Sequence, residues 1–299
     1  MTNTNSKTKT AVVTGGTSGL GEAATLALAQ AGWRVLIIGR DAQRGGDVAR
    51  KAGNGSEFLN ADLFSLNDVR RLAGEIARRA PALDLLVNNA GGVFSAGPAT
   101  IDGLERTFAL NVAAPHVLTE ALLPQLTAAK GRVINIVTGI QNGFSAKLEQ
   151  LIGAKATGGM FGYVRNKLAL LTLTRAQQQK YGSRGVTFVA LHPGIIPLTR
   201  FGTTMTGFNP FTTIGPFFAK LFRFGDTADT AAKRYVAAAT EEVEGGGYYY
   251  EGKLRPAPKQ ALEQGFVDSI WKLVNELPLS REGEGQGEGE TNEASAAHG

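Results

Sequence analysis

Short apolar runs alternate with longer segments of helical periodicity along most of the chain. The predicted strands lie at 11–14, 34–38, 57–60, 83–87, 132–137, 186–191 and within 245–256. The predicted helices span 22–31, 41–52, 65–80, 101–126, 160–181, 227–240 and 259–277. The strands are almost wholly apolar, which is typical of a parallel sheet covered by helices on both faces. The pattern predicts an α/β fold with a single doubly wound parallel sheet flanked by helices.

Two segments depart from this alternation. Residues 200–225 hold seven phenylalanines among glycine, threonine and proline, and their place after the sixth strand predicts a lid over an apolar pocket, with plain core as the alternative. From Arg281 the chain is rich in glycine and glutamate, so 281–299 is predicted to be a disordered acidic tail. We expect one domain over residues 1–280.

Composition excludes several classes of site. The 299 residues contain no cysteine and only three histidines, which excludes a thiolate or histidine-rich metal centre. No apolar run approaches the ~20 residues of a membrane span, and the polar start lacks a signal-peptide core, so a cytoplasmic protein is expected. The tail carries one arginine and five glutamates, a net charge of −4. Because the whole chain carries +5, residues 1–280 carry +9. That basic body suits a phosphate-bearing ligand, whereas the lack of a basic run argues against nucleic acid.

A glycine-rich turn, Thr-Gly-Gly-Thr-Ser-Gly-Leu-Gly, follows the first strand and precedes the first helix. Glycine lets the backbone approach a pyrophosphate, and a helix N-terminus offers free N–H groups. A purely structural turn would use the same glycines, but the strand–turn–helix setting favours phosphate binding. The residues expected to contact the ligand here are Gly15, Thr17, Ser18, Gly19, Leu20 and Gly21.

This turn resembles the T-G-x-x-x-G-x-G cofactor motif of the short-chain dehydrogenase/reductase family, and the family's other motifs follow in order. They are Asp62, Asn88-Asn89-Ala90-Gly91, Asn111, Tyr163 with Lys167 as Y-x-x-x-K, and His192-Pro193-Gly194. The resemblance covers nearly the whole chain to about residue 280. It implies a Rossmann-type sheet and cofactor contacts from Asp62, Leu63, Asn89, Ala90, Gly91, Tyr163, Lys167, Pro193, Gly194 and Thr199.

The predicted catalytic group centres on a tyrosine and a lysine. Tyr163 and Lys167 stand one helical turn apart, so they share a helix face. A nearby ammonium is expected to lower the tyrosine pKa, so that the pair can exchange a proton with a carbonyl oxygen. The resemblance implies that Asn111 anchors a catalytic water and that a hydroxyl after strand five binds the substrate oxygen. Thr138 stands where most members have serine, and Ser145 is the alternative hydroxyl.

The spacing of the catalytic residues narrows the resemblance. Thr138 and Tyr163 are 25 residues apart, a longer gap than most family members have. This long gap resembles that of the branch of retinol dehydrogenases and protochlorophyllide reductases. The resemblance implies a bulky apolar substrate. We expect carbonyl/alcohol interconversion; reduction of a carbon–carbon double bond and a non-catalytic NADP-binding module are the alternatives. Many relatives pair through the helices at 101–126 and 160–181, so a homodimer is one alternative for the oligomeric state, which the sequence leaves open.

The end of strand two predicts the choice of cofactor. Relatives that prefer NAD have an acidic residue there, whereas this chain has Gly39 followed by Arg40. A guanidinium suits a 2′-phosphate through charge-assisted hydrogen bonds. Arg44, one turn further on, could assist, and Asp41 could instead pair with Arg40. We expect NADP, with Arg40 as the contact.

Overall fold

The computed structural model describes residues 8–95, 97–153, 155–194 and 226–277. Its centre is an eight-stranded sheet in the order β3-β2-β1-β4-β5-β6-β7-β8. The strands are β1 (Thr10–Thr14), β2 (Arg34–Gly39), β3 (Glu57–Asn60), β4 (Leu85–Asn88), β5 (Arg132–Ile136), β6 (Thr187–His192), β7 (Tyr248–Tyr250) and β8 (Lys253–Arg255). All neighbouring strands run parallel except β7 and β8, which are antiparallel.

Helices connect the strands and cover both faces of the sheet. They are α1 (Gly19–Gln30), α2 (Ala42–Ala52), α3 (Leu66–Arg79), α4 (Arg106–Phe108), α5 (Ala114–Ala121), α6 (Leu123–Ala129), α7 (Gly159–Tyr181), α8 (Ala228–Thr240), α9 (Lys259–Leu262) and α10 (Gln264–Asn275). Ser65 caps α3 by accepting the Asp68 N–H at 3.3 Å. The predicted doubly wound, Rossmann-type sheet is therefore confirmed.

The sheet is apolar on both faces because successive side chains of its strands point to opposite sides. Val12 packs with α3 and α5, whereas Val13 packs with α1 and α8, and both side chains are fully buried. The chain order reverses between β1 and β4, so the connections that leave these strands diverge. A crevice forms at such a reversal, outside the carboxyl ends of the strands.

Two antiparallel strands, β7 and β8, form a hairpin where the sequence predicts a single last strand within 245–256. Tyr248 pairs with Arg255 in antiparallel register. The chain turns at Glu251 and Gly252, whose φ angles are 51° and 82°. Two adjacent residues with positive φ make the tight turn that joins antiparallel strands.

The predicted helix 101–126 is also corrected by the structure. It begins at Arg106, reaches Ala129 and is interrupted by a π-helical turn at Ala109–Ala113 and by a break at Leu122. Proline in the first turns of α5 and α6 contributes to the segmentation, because it lacks an N–H for the helical ladder. The predicted last helix is likewise split, at Glu263, into α9 and α10.

Three predictions fall on residues outside the described ranges: the lid at 200–225, Thr199 and the tail at 281–299. Within the described ranges, no helix combines the length and apolarity needed to cross a bilayer. Relatives pair partly through the helix that corresponds to α7, and in this structure α10 packs against α7. The homodimer stays a prediction.

Two adjacent glycines of α2 give a matched test of how this helix packs against β3. A methyl at Gly45 would overlap the Phe58 ring, whereas a methyl at Gly46 meets nothing within 4 Å. We expect Gly46→Ala to stabilise the fold by ~0.5–1 kcal/mol through helix propensity. Gly45→Ala should destabilise it by ~1–3 kcal/mol through overpacking. Urea unfolding of both variants measures the difference, and equal stabilisation by both would contradict the described contact.

Candidate active site

A cavity of about 420 Å³ opens at the carboxyl ends of the central strands. Its lining brings together 14 of the residues predicted from the sequence. These are Gly15, Thr17, Ser18, Gly19, Leu20, Gly21, Arg40, Asp62, Leu63, Asn89, Ala90, Gly91, Tyr163 and Lys167. They come from loops far apart in the chain, and parallel strand ends bring these loops to one edge of the sheet.

The hydroxyl of Thr14 joins the two central turns of the cavity. Its Oγ1 accepts the backbone N–H of Asn89 and of Ala90, both at 3.0 Å, and donates to Val87 O at 3.3 Å. In return the Asn89 side chain donates to Thr14 O at 2.8 Å. The glycine turn after β1 and the Asn-Ala-Gly turn after β4 are thus held as one unit.

The glycines of this unit leave room that a side chain would fill. A Cβ at Gly21 would overlap Gly15 O and lie 2.5 Å from Asn89 Nδ2. Gly15 and Gly19 have φ angles of 65° and 56°, which side chains disfavour. The Ser18 side chain makes no capping hydrogen bond, so it does not satisfy the first N–H groups of α1. These features fit a pyrophosphate.

Tyr163 and Lys167 lie on α7 at the inner end of the cavity, 8% and 2% exposed. The Lys167 ammonium lies 5.7 Å from the centroid of the Tyr163 ring and donates to Ile136 O at 2.7 Å. Burial lowers the pKa of Lys167 to about 7 and raises the pKa of Tyr163 above its ordinary value. The pKa of Tyr163 therefore shifts in the direction opposite to the one expected, because burial disfavours the phenolate.

The direction of the tyrosine shift has a chemical consequence. A phenol whose pKa lies above its usual range stays protonated at neutral pH. Protonated Tyr163 is in the form that can give a proton to a carbonyl oxygen. The arrangement thus suits the acid step of a reduction.

Asn111 lies in the π-helical turn and is fully buried. Its Nδ2 donates to Thr107 O at 2.8 Å and to Gly92 O at 2.9 Å. The first of these bonds competes with the helical ladder for the i−4 carbonyl, which accounts for the widened turn. Asn111 Oδ1 has no hydrogen-bond partner among the described residues. A Cβ at Gly91 would lie 2.8 Å from that oxygen, so the glycine lets the two segments approach.

Thr138 follows β5 and is buried, whereas Ser145, the alternative hydroxyl, is exposed. The Thr138 N–H donates to Gln141 Oε1 at 3.1 Å, and Thr138 Oγ1 accepts the Ile140 N–H at 3.4 Å. Accepting this bond leaves the hydroxyl proton of Thr138 available for donation. Ile140 packs against the small apolar cluster around Tyr163, which brings the Thr138 turn toward the tyrosine.

The turn after β6 is held by a charged pair and does not line the cavity. Arg234 of α8 donates to Pro193 O at 2.7 Å and forms a bidentate ion pair with Asp226. His192 packs on the Tyr250 ring at a centroid distance of 4.7 Å, and burial lowers its pKa to about 4. A neutral, buried histidine fits the structural role expected from the sequence. Pro193 and Gly194 therefore lie outside the described cavity wall.

Arg40 stands at the rim of the cavity and is exposed. Asp41 does not pair with it: its carboxylate accepts the Arg44 N–H at 3.0 Å and forms an ion pair with the Arg44 side chain at 3.3 Å. This contact also engages Arg44, which was expected to assist Arg40. A Cβ at Gly39 would lie 2.7 Å from Thr17 Cγ2, so the glycine turn crowds the place of an acidic side chain.

Several residues of the site carry no motif signal. Phe64, Gly92, Phe94, Leu110 and Ile136 also line the cavity. Phe64 and Leu110 adjoin motif residues, so extending each motif by one or two positions would have found them. Tyr235 of α8 lies 146 residues from Asn89 in sequence and donates to its Oδ1 at 2.8 Å. No local pattern could have indicated that contact.

A family model described as short chain dehydrogenase matches residues 9–206. The chain belongs to the short-chain dehydrogenase family. It is therefore an oxidoreductase, and its family binds a nicotinamide dinucleotide. The predicted family is confirmed.

Relatives and solved structures agree with this assignment. Retinol dehydrogenase 13 of Mus musculus is 33% identical, over 88% of this chain and 81% of that protein. A protein of Streptomyces sp. (strain C5) that bears the name daunorubicin C-13 ketoreductase DnrU is 31% identical, over 88% of this chain and 90% of its own. The RhlG/NADP active-site complex of Pseudomonas aeruginosa is 26% identical with a TM-score of 0.64, over 82% of this chain and 95% of that one. The similarity extends to the retinol dehydrogenase-like branch.

Proposed function

We propose that the protein interconverts a carbonyl and an alcohol on a bulky apolar molecule, with NADP(H) as the hydride carrier. The observation that carries the proposal is the burial of Tyr163 beside Lys167 at the inner end of the glycine-lined cavity. The cofactor, when bound, supplies or accepts the hydride. Gly15, Gly19 and Gly21 hold its pyrophosphate, and Asp62 and Leu63 lie where the adenine binds in the family.

Each catalytic side chain has a role that its contacts support. Tyr163 gives a proton to the carbonyl oxygen during reduction and takes it back during oxidation. The Thr138 hydroxyl donates to the same oxygen, since its own acceptor site is used by Ile140. Lys167, whose ammonium lies 5.7 Å from the centroid of the Tyr163 ring, binds the ribose. Asn111, with a buried oxygen that no described residue satisfies, anchors a water that returns protons.

The surroundings of Tyr163 favour an apolar substrate. Ile140, Phe144 and Met160 pack around it, and Phe161 is 61% exposed beside them. The Phe144 and Phe161 rings lie 6.0 Å apart. The names of the relatives, which refer to retinol and to the C-13 ketone of daunorubicin, point to substrates of the same character. An apolar surface of this kind binds apolar groups and leaves orientation to a few polar side chains.

The preference for NADP rests on charge at the end of β2. Arg40 has no carboxylate partner among the described residues, because Asp41 is committed to Arg44. Its guanidinium is therefore available to a 2′-phosphate. The NADP complex of RhlG is consistent with this choice.

Replacement of Arg40 tests the cofactor assignment. We expect the wild type to bind NADPH at least tenfold more tightly than NADH, about 1.4 kcal/mol. Arg40→Ala should remove most of this preference and leave NADH binding unchanged, whereas Arg44→Ala should keep it. Calorimetric titration of both cofactors into the three proteins decides, and equal affinity of the wild type for both would refute the assignment.

Substitutions at Thr138 and Tyr163 test the chemistry. Thr138→Ser keeps the hydroxyl and should retain activity, whereas Thr138→Val keeps the shape and should lose ~10²–10³ in rate, as for one lost oxyanion donor. Tyr163→Phe should lose at least as much while NADPH still binds. Steady-state NADPH oxidation with a panel of aldehydes, ketones and enones gives the rates.

Three outcomes of this series would overturn parts of the proposal. Normal turnover by Thr138→Val with an inactive Ser145→Ala would assign the hydroxyl to Ser145. Turnover of enones but of no aldehyde or ketone would assign the reaction to carbon–carbon double bonds. If the wild type binds NADPH but oxidises it with no member of the panel, the protein is a non-catalytic NADP-binding module rather than an enzyme.

A further inference from the structure

Two arginines and two phenylalanines form a cluster beside the outer end of the cavity. The Arg40 guanidinium carbon lies 5.8 Å from the centroid of the Phe64 ring, and that of Arg106 lies 5.2 Å from the same centroid. Phe94 meets Phe64 edge-on, with the centroids 5.2 Å apart at 77°. Arg106 also lies 4.8 Å from the Phe94 centroid. Phe64 is thus the shared contact of the other three side chains.

The two guanidinium groups lack the carboxylate partner that usually accompanies a close pair of cations. Among the described residues, no acidic side chain lies within ion-pair distance of Arg40 or Arg106. The acids nearby in sequence make other contacts. Asp41 forms an ion pair with Arg44, and Asp68 forms one with Arg71. Asp102 accepts the Leu66 N–H, and Glu105 accepts the Phe108 N–H. Two cations gathered on one ring repel each other, so this end of the cavity favours an anion.

The cluster lies where it can act on a ligand in the cavity. Phe64, Phe94 and Arg40 are part of the cavity wall, whereas Arg106 contacts both rings without lining it. The Phe64 backbone is fixed, because its N–H donates to Asp62 Oδ1 at 3.1 Å. Arg106 comes from α4, which follows β4, so a separate element of the fold supports the ring.

We propose that Phe64 is a positioning residue for recognition of the cofactor's 2′-phosphate. Its ring holds the Arg40 guanidinium at the cavity rim, and Arg106 with Phe94 holds the ring. A free arginine side chain loses rotamer freedom when it binds a phosphate. An arginine already stacked on a ring loses less, so the contact gains affinity through preorganisation. This inference rests on the proposed NADP function.

Two adenosine phosphates separate recognition of the 2′-phosphate from binding of the rest of the nucleotide. 2′,5′-ADP carries the 2′-phosphate and 5′-AMP lacks it, so the ratio of their dissociation constants measures the discrimination. We expect Phe64→Leu to lower this ratio about two- to fivefold, the range of an exposed cation–π contact, with 5′-AMP affinity unchanged. Phe64→Tyr keeps the ring and should restore the wild-type ratio. Phe94→Leu removes a support of the Phe64 ring but not the contact with Arg40, so it should lower the ratio by less than Phe64→Leu does.

The measurement is calorimetric titration of both nucleotides into the full chain, with the melting temperature of each variant recorded as a check on folding. Equal weakening of both nucleotides by Phe64→Leu would overturn the inference and leave Phe64 as a wall of the adenine site. A wild-type ratio retained in Phe64→Leu would overturn it as well, while the NADP assignment stands. A wild type that does not discriminate between the two nucleotides would refute the NADP assignment and this inference together.

Discussion

The hydroxyl of Thr14 is the constraint on which the rest of the site depends. It satisfies two backbone N–H groups of the turn after β4 and so fixes the distance between the two central strand ends. The glycine turn, the first N–H groups of α1 and the Asn89 side chain are positioned relative to that link. A buried N–H without a partner costs ~1–3 kcal/mol. The Thr14 hydroxyl and the Asn89 side chain therefore tie the two turns together beyond the β1–β4 ladder, whose last pair is Val13 with Val87.

Burial of Tyr163 and Lys167 is the second determinant, and it acts against ionisation of both side chains. Lys167 lies almost fully inside the protein with its ammonium on Ile136 O, and its pKa falls to about 7. Tyr163 stays a phenol for the same reason. The protein therefore presents a proton donor next to a cation that is easily neutralised. Such perturbed groups in a cleft are typical of acid–base sites.

The sequence indicated the sheet, the family and most of the cavity wall because most of the motifs directly follow a strand. In a parallel sheet, residues such as Gly15, Asp62 and Asn89 then meet at one edge whatever lies between them. The direction of the Tyr163 pKa shift was not predictable, since it depends on how much surrounding protein excludes water. The contact of Arg106 with Phe64 likewise depends on packing between elements distant in sequence. The β7–β8 hairpin was missed because Glu251-Gly252 is an uncommon form of a tight-turn signal.

We expect Thr14 to hold the cavity in the form that binds a nicotinamide dinucleotide. Calorimetric titration of NADPH into the wild type, Thr14→Ser and Thr14→Val tests this expectation. Thr14→Ser keeps the hydroxyl and should bind with nearly wild-type affinity. Thr14→Val keeps the shape but removes the acceptor of the Ala90 N–H and one of the two acceptors of the Asn89 N–H, which also bonds Val87 O, and we predict binding at least about tenfold weaker. Wild-type affinity in a folded Thr14→Val protein would contradict the account.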